Sequence, residues 1–206
     1  MEFDSNKAAF LAVDLQRAFC SDDGSVAREG RDIDRCKGAA AKCLDIAAAA
    51  HQSDIPVIWT RFVLRPDYAD GGVFIRDLRP WVREQGGMQA NTPDIELIPE
   101  AVVAPGDFVI DKQRYSSFYA TSLEVILRSL GIECLLVGGV TTSMCVETSV
   151  RDAAQRDYKT FVVRDACADY SEDRHDASLA ALAFGFARVI SHNEAIAAIA
   201  DGKADF

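Results

Sequence analysis

Short apolar runs alternate with amphipathic stretches along most of the chain. Six apolar runs have the length of buried strands, and they cover residues 8–15, 56–62, 107–112, 133–137, 159–166 and 187–191. Apolar side chains recur at helical spacing in residues 33–50, 121–130, 146–154, 173–186 and a short last segment that ends near Ala200. Strands that alternate with helices predict a Rossmann-like, three-layer α/β/α fold with a six-stranded parallel sheet.

Two of these helices carry capping signals at their first turn. Thr121 and Glu124 have the spacing of a capping box, and Gly131 predicts the end of the same helix. Asn193 is a residue type that caps helix N-termini, so we expect the last helix to begin there.

The alternating pattern lapses between residues 63 and 105. This segment holds five of the six prolines, and loops of such length in compact domains are usually functional. We therefore expect one domain over residues 1–206, in which this segment covers the active-site face and contributes to an oligomer interface. Arginines in and beside the segment are candidates for binding a substrate carboxylate, because the guanidinium fork matches that group; they are Arg61, Arg65, Arg76 and Arg79.

Composition narrows the class of partner. The 206 residues carry a formal net charge of -10, which disfavours nucleic acid and anionic membranes and leaves a small molecule as the expected partner. The N-terminus is acidic from its second residue and shows no secretory signal, so we expect a cytoplasmic protein. None of the six cysteines shows paired zinc-site spacing, and we predict neither a metal nor another cofactor.

The fourth apolar run leads into a glycine-rich bend that ends at Cys145. A strand, a tight turn and a helix would place Cys145 near a helix N-terminus, where unpaired amides favour a thiolate. We therefore expect a lowered pKa for this thiol. A small buried hydrophobe is the commoner role for a cysteine, but the position at the carboxyl end of a strand favours a nucleophile.

Asp14 and Lys112 end the first and third apolar runs. Carboxyl ends of parallel strands share one edge of a sheet, so we expect both side chains beside Cys145. Asp14 can accept the thiol proton and pass it to a leaving nitrogen, while a cationic Lys112 would stabilise both anions. A cysteine–histidine pair is the commoner solution, but no histidine accompanies Cys145 in the sequence.

These residues lie in motifs of a known family. Asp14 in FLAVDLQRAFC, Lys112 in IDKQRYSSFYAT and Cys145 in GGVTTSMCVETSVRDA resemble the catalytic triad of the isochorismatase-like cysteine hydrolases. The resemblance covers about residues 8–192, and the motif around Cys145 is highly specific. It implies a cis peptide between Val140 and Thr141, and an oxyanion hole formed by the amides of Thr141 and Cys145.

The resemblance also narrows the reaction. Nicotinamidases of the family hold a metal on an aspartate and histidines after the second strand, where this chain reads WTRFVLRPDYAD, and isochorismatases proper generally lack the cysteine. The chain is more similar to the amidohydrolases of N-carbamoylsarcosine, ureidoacrylate and maleamate. Such an enzyme would cleave a C–N bond of a small carbamoyl or carboxamide compound through a thioester, as a homo-oligomer (dimer or tetramer). Expected substrate-binding residues are Phe19, Arg61, Tyr115, Phe118 and Thr142.

Three other functions stay open at this level. One is a nicotinamidase-like hydrolase of aromatic amides, and another is a catalytically idle binding protein on the same fold. The third is a thiol redox protein, which would need a resolving cysteine close to Cys145.

Overall fold

Six parallel strands form the central sheet of the protein. The computed structural model describes residues 1–206, and its strand order β4-β3-β2-β5-β6-β7 matches the predicted architecture. These strands are β2 (Ala8–Val13), β3 (Val57–Phe62), β4 (Phe108–Lys112), β5 (Cys134–Val140), β6 (Lys159–Ala168) and β7 (Arg188–Ile190). A separate antiparallel pair joins the termini through β1 (Glu2–Asp4) and β8 (Lys203–Asp205).

Helices cover both faces of the sheet and confirm the three-layer prediction. In chain order they are α1 (Arg17–Cys20), α2 (Ser25–Arg28), α3 (Asp34–Gln52), α4 (Pro80–Glu84), α5 (Leu123–Ser129), α6 (Glu147–Ala154), α7 (Glu172–Gly185) and α8 (His192–Asp201). Helices α3 and α8 pack together on one face, and α6 and α7 pack together on the other. No helix combines the length and apolar character that a membrane-spanning segment requires.

Strands β2 and β5 lie at the centre of the sheet, and this position explains why their sequences are almost continuously apolar. Every residue of β2 and β5 is buried, because helices cover both faces of this part of the sheet. The chain runs outward in opposite directions from this pair, through β3 and β4 on one side and β6 and β7 on the other. The carboxyl ends of β2 and β5 therefore flank the topological switch point, where open α/β sheets bind their ligands.

Both capping predictions are wrong in detail. Thr121 lies outside α5, and its hydroxyl accepts from the Leu123 amide at 3.2 Å and donates to the Ser117 carbonyl. Glu124 binds arginine side chains instead of closing a capping box. Helix α8 begins after Ser191, whose hydroxyl accepts from the Glu194 amide in a complete capping box. At α8 the adjacent Ser191 caps the helix in place of Asn193. At α5 the Glu124 carboxylate forms ion pairs with arginines in place of the capping box.

Gly139 allows the two central strands to approach closely just before the Cys145 turn. Its φ is +129°, and a Cβ atom at this position would lie 2.1 Å from the Val13 carbonyl oxygen. Only glycine combines this backbone conformation with such a close contact. The start of the Cys145 turn therefore depends on the absence of a side chain here.

Replacing Gly139 should destabilise the protein far more than replacing a glycine in open space. Gly139→Ala should lower the free energy of unfolding by about 3 kcal/mol, because it adds both backbone strain and overpacking. Gly185→Ala is the control, since an added Cβ there meets no atom within 4 Å. Chemical denaturation measures both values, and equal losses would show that β2 and β5 can separate to admit a side chain.

Candidate active site

Asp14 lies immediately after β2 and is held on two sides. Its side chain is fully buried, and the Thr60 hydroxyl donates to Oδ1 at 2.7 Å. Its backbone adopts a φ of +54°, a left-handed conformation that aspartate and asparagine tolerate better than most residues. The backbone and Thr60 together fix the carboxylate at the carboxyl edge of the sheet.

Lys112, the last residue of β4, reaches across the end of β3 to Asp14 and Cys145. Its ammonium Nζ lies 2.7 Å from Asp14 Oδ2 and 3.3 Å from Cys145 Sγ, and it donates to the Arg114 carbonyl at 3.2 Å. The same nitrogen lies 4.6 Å from the centre of the Phe62 ring. Three residues from three strand ends therefore meet in one buried cluster, as the sequence predicted.

The Asp14–Lys112 pair keeps the amine charged despite its burial. Burial by itself would lower the pKa of Lys112, but the Asp14 carboxylate and the Cys145 sulfur outweigh it and raise the pKa above its ordinary value. Lys112 therefore remains an ammonium at neutral pH.

A short π-helical turn, Thr142–Val146, places Cys145 before α6. The Val140–Thr141 peptide bond that precedes this turn is cis. The Thr141 carbonyl accepts from the amides of Met144 and Val146, whereas the Thr141 N–H donates to no acceptor within the protein. The backbone of this turn thus leaves an amide donor close to the thiol.

Asp169, which follows β6, anchors the same turn from outside. Its Oδ2 accepts from the Ser143 amide at 3.0 Å and from the Ser143 hydroxyl, while Arg174 donates to its Oδ1. Only 1% of Asp169 is exposed. This carboxylate connects the Thr142–Val146 turn to α7. Sequence reasoning did not identify Asp169 because its partners are distant in the chain.

The expectation of a lowered pKa for Cys145 is wrong. Burial raises the pKa of this thiol far above its ordinary value. Lys112 lowers the pKa, but by less than burial raises it, and the Asp14 carboxylate raises it again. The turn supplies dipoles, but the sulfur has lost its water, and desolvation penalises the thiolate more. Cys145 is consequently a thiol in the unliganded site, with the base for its proton beside it.

Cys145 lies in the wall of a pocket of about 280 Å³. Aromatic and apolar side chains form most of this wall, together with three arginines and the Thr141–Cys145 turn. The lining residues are Phe19, Val26, Arg31, Phe62, Phe74, Arg79, Trp81, Met88, Tyr115, Thr141, Ser143, Met144, Cys145, Tyr170 and Arg174. A small, mostly apolar pocket with a few polar groups is typical of a binding site for a small molecule.

Two of the five expected substrate-binding residues, Phe19 and Tyr115, line this pocket. Arg61 does not, because its side chain is on the opposite face of β3 from Phe62 and pairs with Asp111 on the neighbouring strand.

Phe118 and Thr142 also lie outside the pocket lining. The Phe118 ring packs 5.9 Å from Tyr158, and the Arg156 guanidinium lies 5.0 Å from its centre. The Thr142 hydroxyl is hydrogen-bonded to His175 at 2.8 Å. Both side chains pack against neighbouring elements, and their predicted contact with substrate stays a prediction.

Several pocket residues were missed by sequence reasoning. Phe74, Trp81 and Met88 come from the segment between residues 63 and 105, which does cover this face, although no periodicity marks its individual side chains. Arg31 and Tyr170 contact each other across the pocket wall, with the guanidinium 5.5 Å from the ring centre. A cluster of aromatics in a proline-rich segment is the signal that could have identified this part of the wall.

None of the three histidines bonds to Cys145. His51 pairs with Asp107, His192 approaches Asp45, and His175 bonds to Thr142. No group of three or more histidine, cysteine, aspartate or glutamate side chains has the arrangement of a metal site. Asp14, whose carboxylate contacts the same Lys112 ammonium as the thiol, is therefore the candidate base in this cluster.

A family model for the Isochorismatase domain matches residues 8–194. The chain belongs to the isochorismatase family. It is 31% identical over 176 residues to the ureidoacrylate amidohydrolase RutB of Methylorubrum extorquens strain AM1, a match that spans 80% of this chain and 71% of that protein.

Two solved structures have the same fold as this chain. A cysteine hydrolase from Pseudomonas syringae pv. phaseolicola 1448A superimposes with a TM-score of 0.86 at 28% identity, over 97% of this chain and 95% of the other. The N-carbamoylsarcosine amidase of Thermoplasma acidophilum gives a TM-score of 0.74 at 25% identity, over 91% and 97% of the two chains. These matches confirm the resemblance inferred from the three motifs.

The protonation state of Cys145 has a measurable consequence. Because burial raises the pKa of this thiol, its alkylation by iodoacetamide should accelerate about tenfold per pH unit between roughly pH 7 and 9, without a plateau. Peptide mapping of quenched samples follows Cys145 separately from the other five thiols, and Cys145→Ser supplies the blank. A plateau below about pH 8 would instead reveal a thiolate stabilised below its ordinary pKa.

Proposed function

We propose that this member of the isochorismatase family is a cysteine-dependent amidohydrolase. Its substrate is a small carbamoyl or carboxamide compound, and its catalytic residues are Asp14, Lys112 and Cys145. The observation that carries the proposal is the buried cluster in which the Lys112 ammonium contacts both the Asp14 carboxylate and the sulfur of Cys145. A binding protein has no need for a nucleophile, a base and a cation at one edge of a pocket.

The first step forms a tetrahedral intermediate on Cys145, and its later collapse gives the acyl-enzyme. Asp14 accepts the thiol proton while Cys145 Sγ bonds to the carbonyl carbon, so the thiolate never has to exist free in the buried site. The carbonyl electron pair moves to oxygen, and the amides of Thr141 and Cys145 donate to that oxyanion. Single donors of this kind contribute about 3 to 4 kcal/mol in other acyl-transfer enzymes.

The second step releases the nitrogen. As the tetrahedral intermediate collapses, the C–N bond breaks and the leaving nitrogen takes the proton from Asp14. Water then attacks the thioester carbon, Asp14 accepts its proton, and the sulfur recovers that proton when it leaves. Lys112 remains protonated throughout because its neighbours hold its pKa high, and it balances the charge that moves between Asp14 and Cys145.

Similarity to named relatives supports an amide or ureido substrate. One relative is described as a ureidoacrylate amidohydrolase and a structural neighbour as an N-carbamoylsarcosine amidase, and both names denote cleavage beside a carbonyl carbon. Attack on such a carbon needs a nucleophile, and the Cys145 sulfur can provide one. A nicotinamidase-like activity on aromatic amides is the second candidate, favoured by the aromatic wall of the pocket.

Substitutions in the cluster should remove turnover without unfolding the protein. Cys145→Ala should abolish ammonia release, since no other thiol lines the pocket, and Asp14→Asn should lower kcat by about 10³-fold or more. Asparagine tolerates the positive φ of Asp14, but it leaves the buried Lys112 without its counterion and should lower the free energy of unfolding by about 3–5 kcal/mol, so circular dichroism is used to verify that the assayed variant is folded.

Ammonia release is measured across ureido acids, half-amides of dicarboxylic acids and aromatic amides. Cys134→Ala is the matched control, because that thiol lies at the amino end of β5, against the Glu2 carbonyl, and should retain full activity. Substantial turnover by Cys145→Ala would exclude the covalent mechanism. Preference for aromatic amides over all ureido acids would favour the nicotinamidase-like alternative.

Activity should also survive exhaustive chelation. The mechanism uses only protein groups, and the structure brings together no set of metal-ligating side chains. Ammonia release is compared before and after dialysis against a strong chelator, with a zinc-dependent hydrolase as the positive control for metal removal. Activity that disappears on dialysis and returns with added zinc or iron would contradict this mechanism.

A further inference from the structure

Three arginines line the pocket, and two of them are neutralised within the protein. Arg174 Nε donates to Asp169 Oδ1 at 3.0 Å, and Arg31 Nε lies 2.8 Å from Glu29 Oε2. Their charges are therefore paired before any substrate arrives. Arg31 also stacks between the rings of Trp81 and Tyr170, which gives it a structural role in the wall.

Arg79 has no such partner. No carboxylate lies within 4.0 Å of its guanidinium, and its one hydrogen bond is from Nη1 to the Leu78 carbonyl at 3.2 Å. The other arginines that the sequence singled out around this segment are all paired with aspartates, through the contacts Arg61–Asp111, Arg65–Asp67 and Arg76–Asp77. Arg79 is half-buried and keeps four of its five N–H donors free of protein acceptors.

The pocket consequently carries one uncompensated positive charge. The Asp14–Lys112 pair is neutral as a unit, and Cys145 is a thiol. The remaining wall is largely aromatic, with the Phe74 ring centre 5.2 Å from that of Phe62 and 5.7 Å from that of Tyr115. Such surroundings exclude water and strengthen the attraction of a cation for an anion.

Tyr115 shows that the Arg79 charge acts inside the pocket. Burial raises the pKa of the Tyr115 phenol, and the Arg79 guanidinium lowers it. Arg79, Tyr115 and Cys145 all line the same pocket.

We infer that Arg79 binds the carboxylate of a monoanionic substrate whose amide or carbamoyl carbon lies at Cys145. The inference rests on the proposed function and refines it, because it selects carboxylate-bearing ureido acids and half-amides over neutral amides. The guanidinium fork fits a carboxylate with two parallel hydrogen bonds, whereas a lysine would supply a point charge only.

Two probes without a cleavable C–N bond test this assignment independently of turnover. In 5-oxohexanoate a methyl ketone replaces the carbamoyl group of N-carbamoyl-β-alanine, and 6-hydroxyhexan-2-one differs from it only in having an alcohol in place of the carboxylate. Each probe is titrated for its ability to protect Cys145 from iodoacetamide at about pH 8.5, where the acid is fully ionised. Peptide mapping reports the modification of Cys145 alone.

The keto acid should protect wild-type protein at a concentration at least about tenfold lower than the keto alcohol, as expected for a charge-assisted hydrogen bond. Arg79→Ala should abolish that difference by weakening only the acid, and Arg79→Lys should restore part of it. Arg76→Ala is the matched control on the same segment, exposed and paired with Asp77, and should keep the wild-type difference.

Equal protection by the two probes in wild-type protein would overturn the inference. A difference that persists in Arg79→Ala but disappears in Arg174→Ala or Arg31→Ala would overturn it as well, since another arginine would then hold the anion. The proposed function fails by a separate result, retained turnover in Cys145→Ala. An active amidohydrolase can show no preference for the acid, so the two failures are distinguishable.

Discussion

Two buried charges of opposite sign, the Lys112 ammonium and the Asp14 carboxylate, hold the carboxyl edge of the sheet in its working arrangement. Both side chains are completely inaccessible to solvent, so each depends on the other for stabilisation. Removing one partner of such a pair typically costs about 3–5 kcal/mol, because the remaining charge is left without water or counterion. Asp14 follows β2 and Lys112 ends β4, and these strands are separated by β3, whose Thr60 donates a hydrogen bond to Asp14.

This pair also determines how the thiol can react. A lysine alone would favour a permanent thiolate at Cys145, but the adjacent carboxylate cancels much of its field, and burial raises the pKa of the thiol. The proton therefore has to move as the new bond forms. Asp14 is in place to accept it, so the same residue that stabilises Lys112 would serve as the base. Only molecules that enter the pocket can react with the buried Cys145 thiol, so burial protects the thiol from non-specific modification.

Substrate recognition is added to this cluster by a different part of the chain. Phe74, Arg79, Trp81 and Met88 all come from the segment between β3 and β4 and form one side of the pocket. The other side comes from the Thr142–Val146 turn, which Asp169 fixes through Ser143. In the proposed function, chemistry thus belongs to strand ends that the sheet holds rigidly, and selectivity belongs to a long connection that can change without disturbing the sheet.

The sequence by itself determined the architecture and the three residues of the cluster. Strands covered on both faces must be continuously apolar, and a charged or nucleophilic residue that ends such a run falls at the shared carboxyl edge of the sheet. The local pattern of apolar residues is sufficient to predict these positions, and the local motifs are sufficient to show the family resemblance. The pairing of β1 with β8 was missed, since three-residue polar strands have no pattern of their own.

Only the tertiary structure decided the properties that depend on distant partners. The pKa of Cys145 depends on how completely the sulfur is desolvated, which no local motif records. Four arginines looked equivalent in sequence, and folding distinguished Arg79 by giving aspartates to the other three. Phe118 and Thr142 neighbour the site in sequence, yet their side chains turn to Tyr158 and His175. Spacing along the chain locates a backbone, whereas burial, pairing and charge arise from segments that meet only in the folded protein.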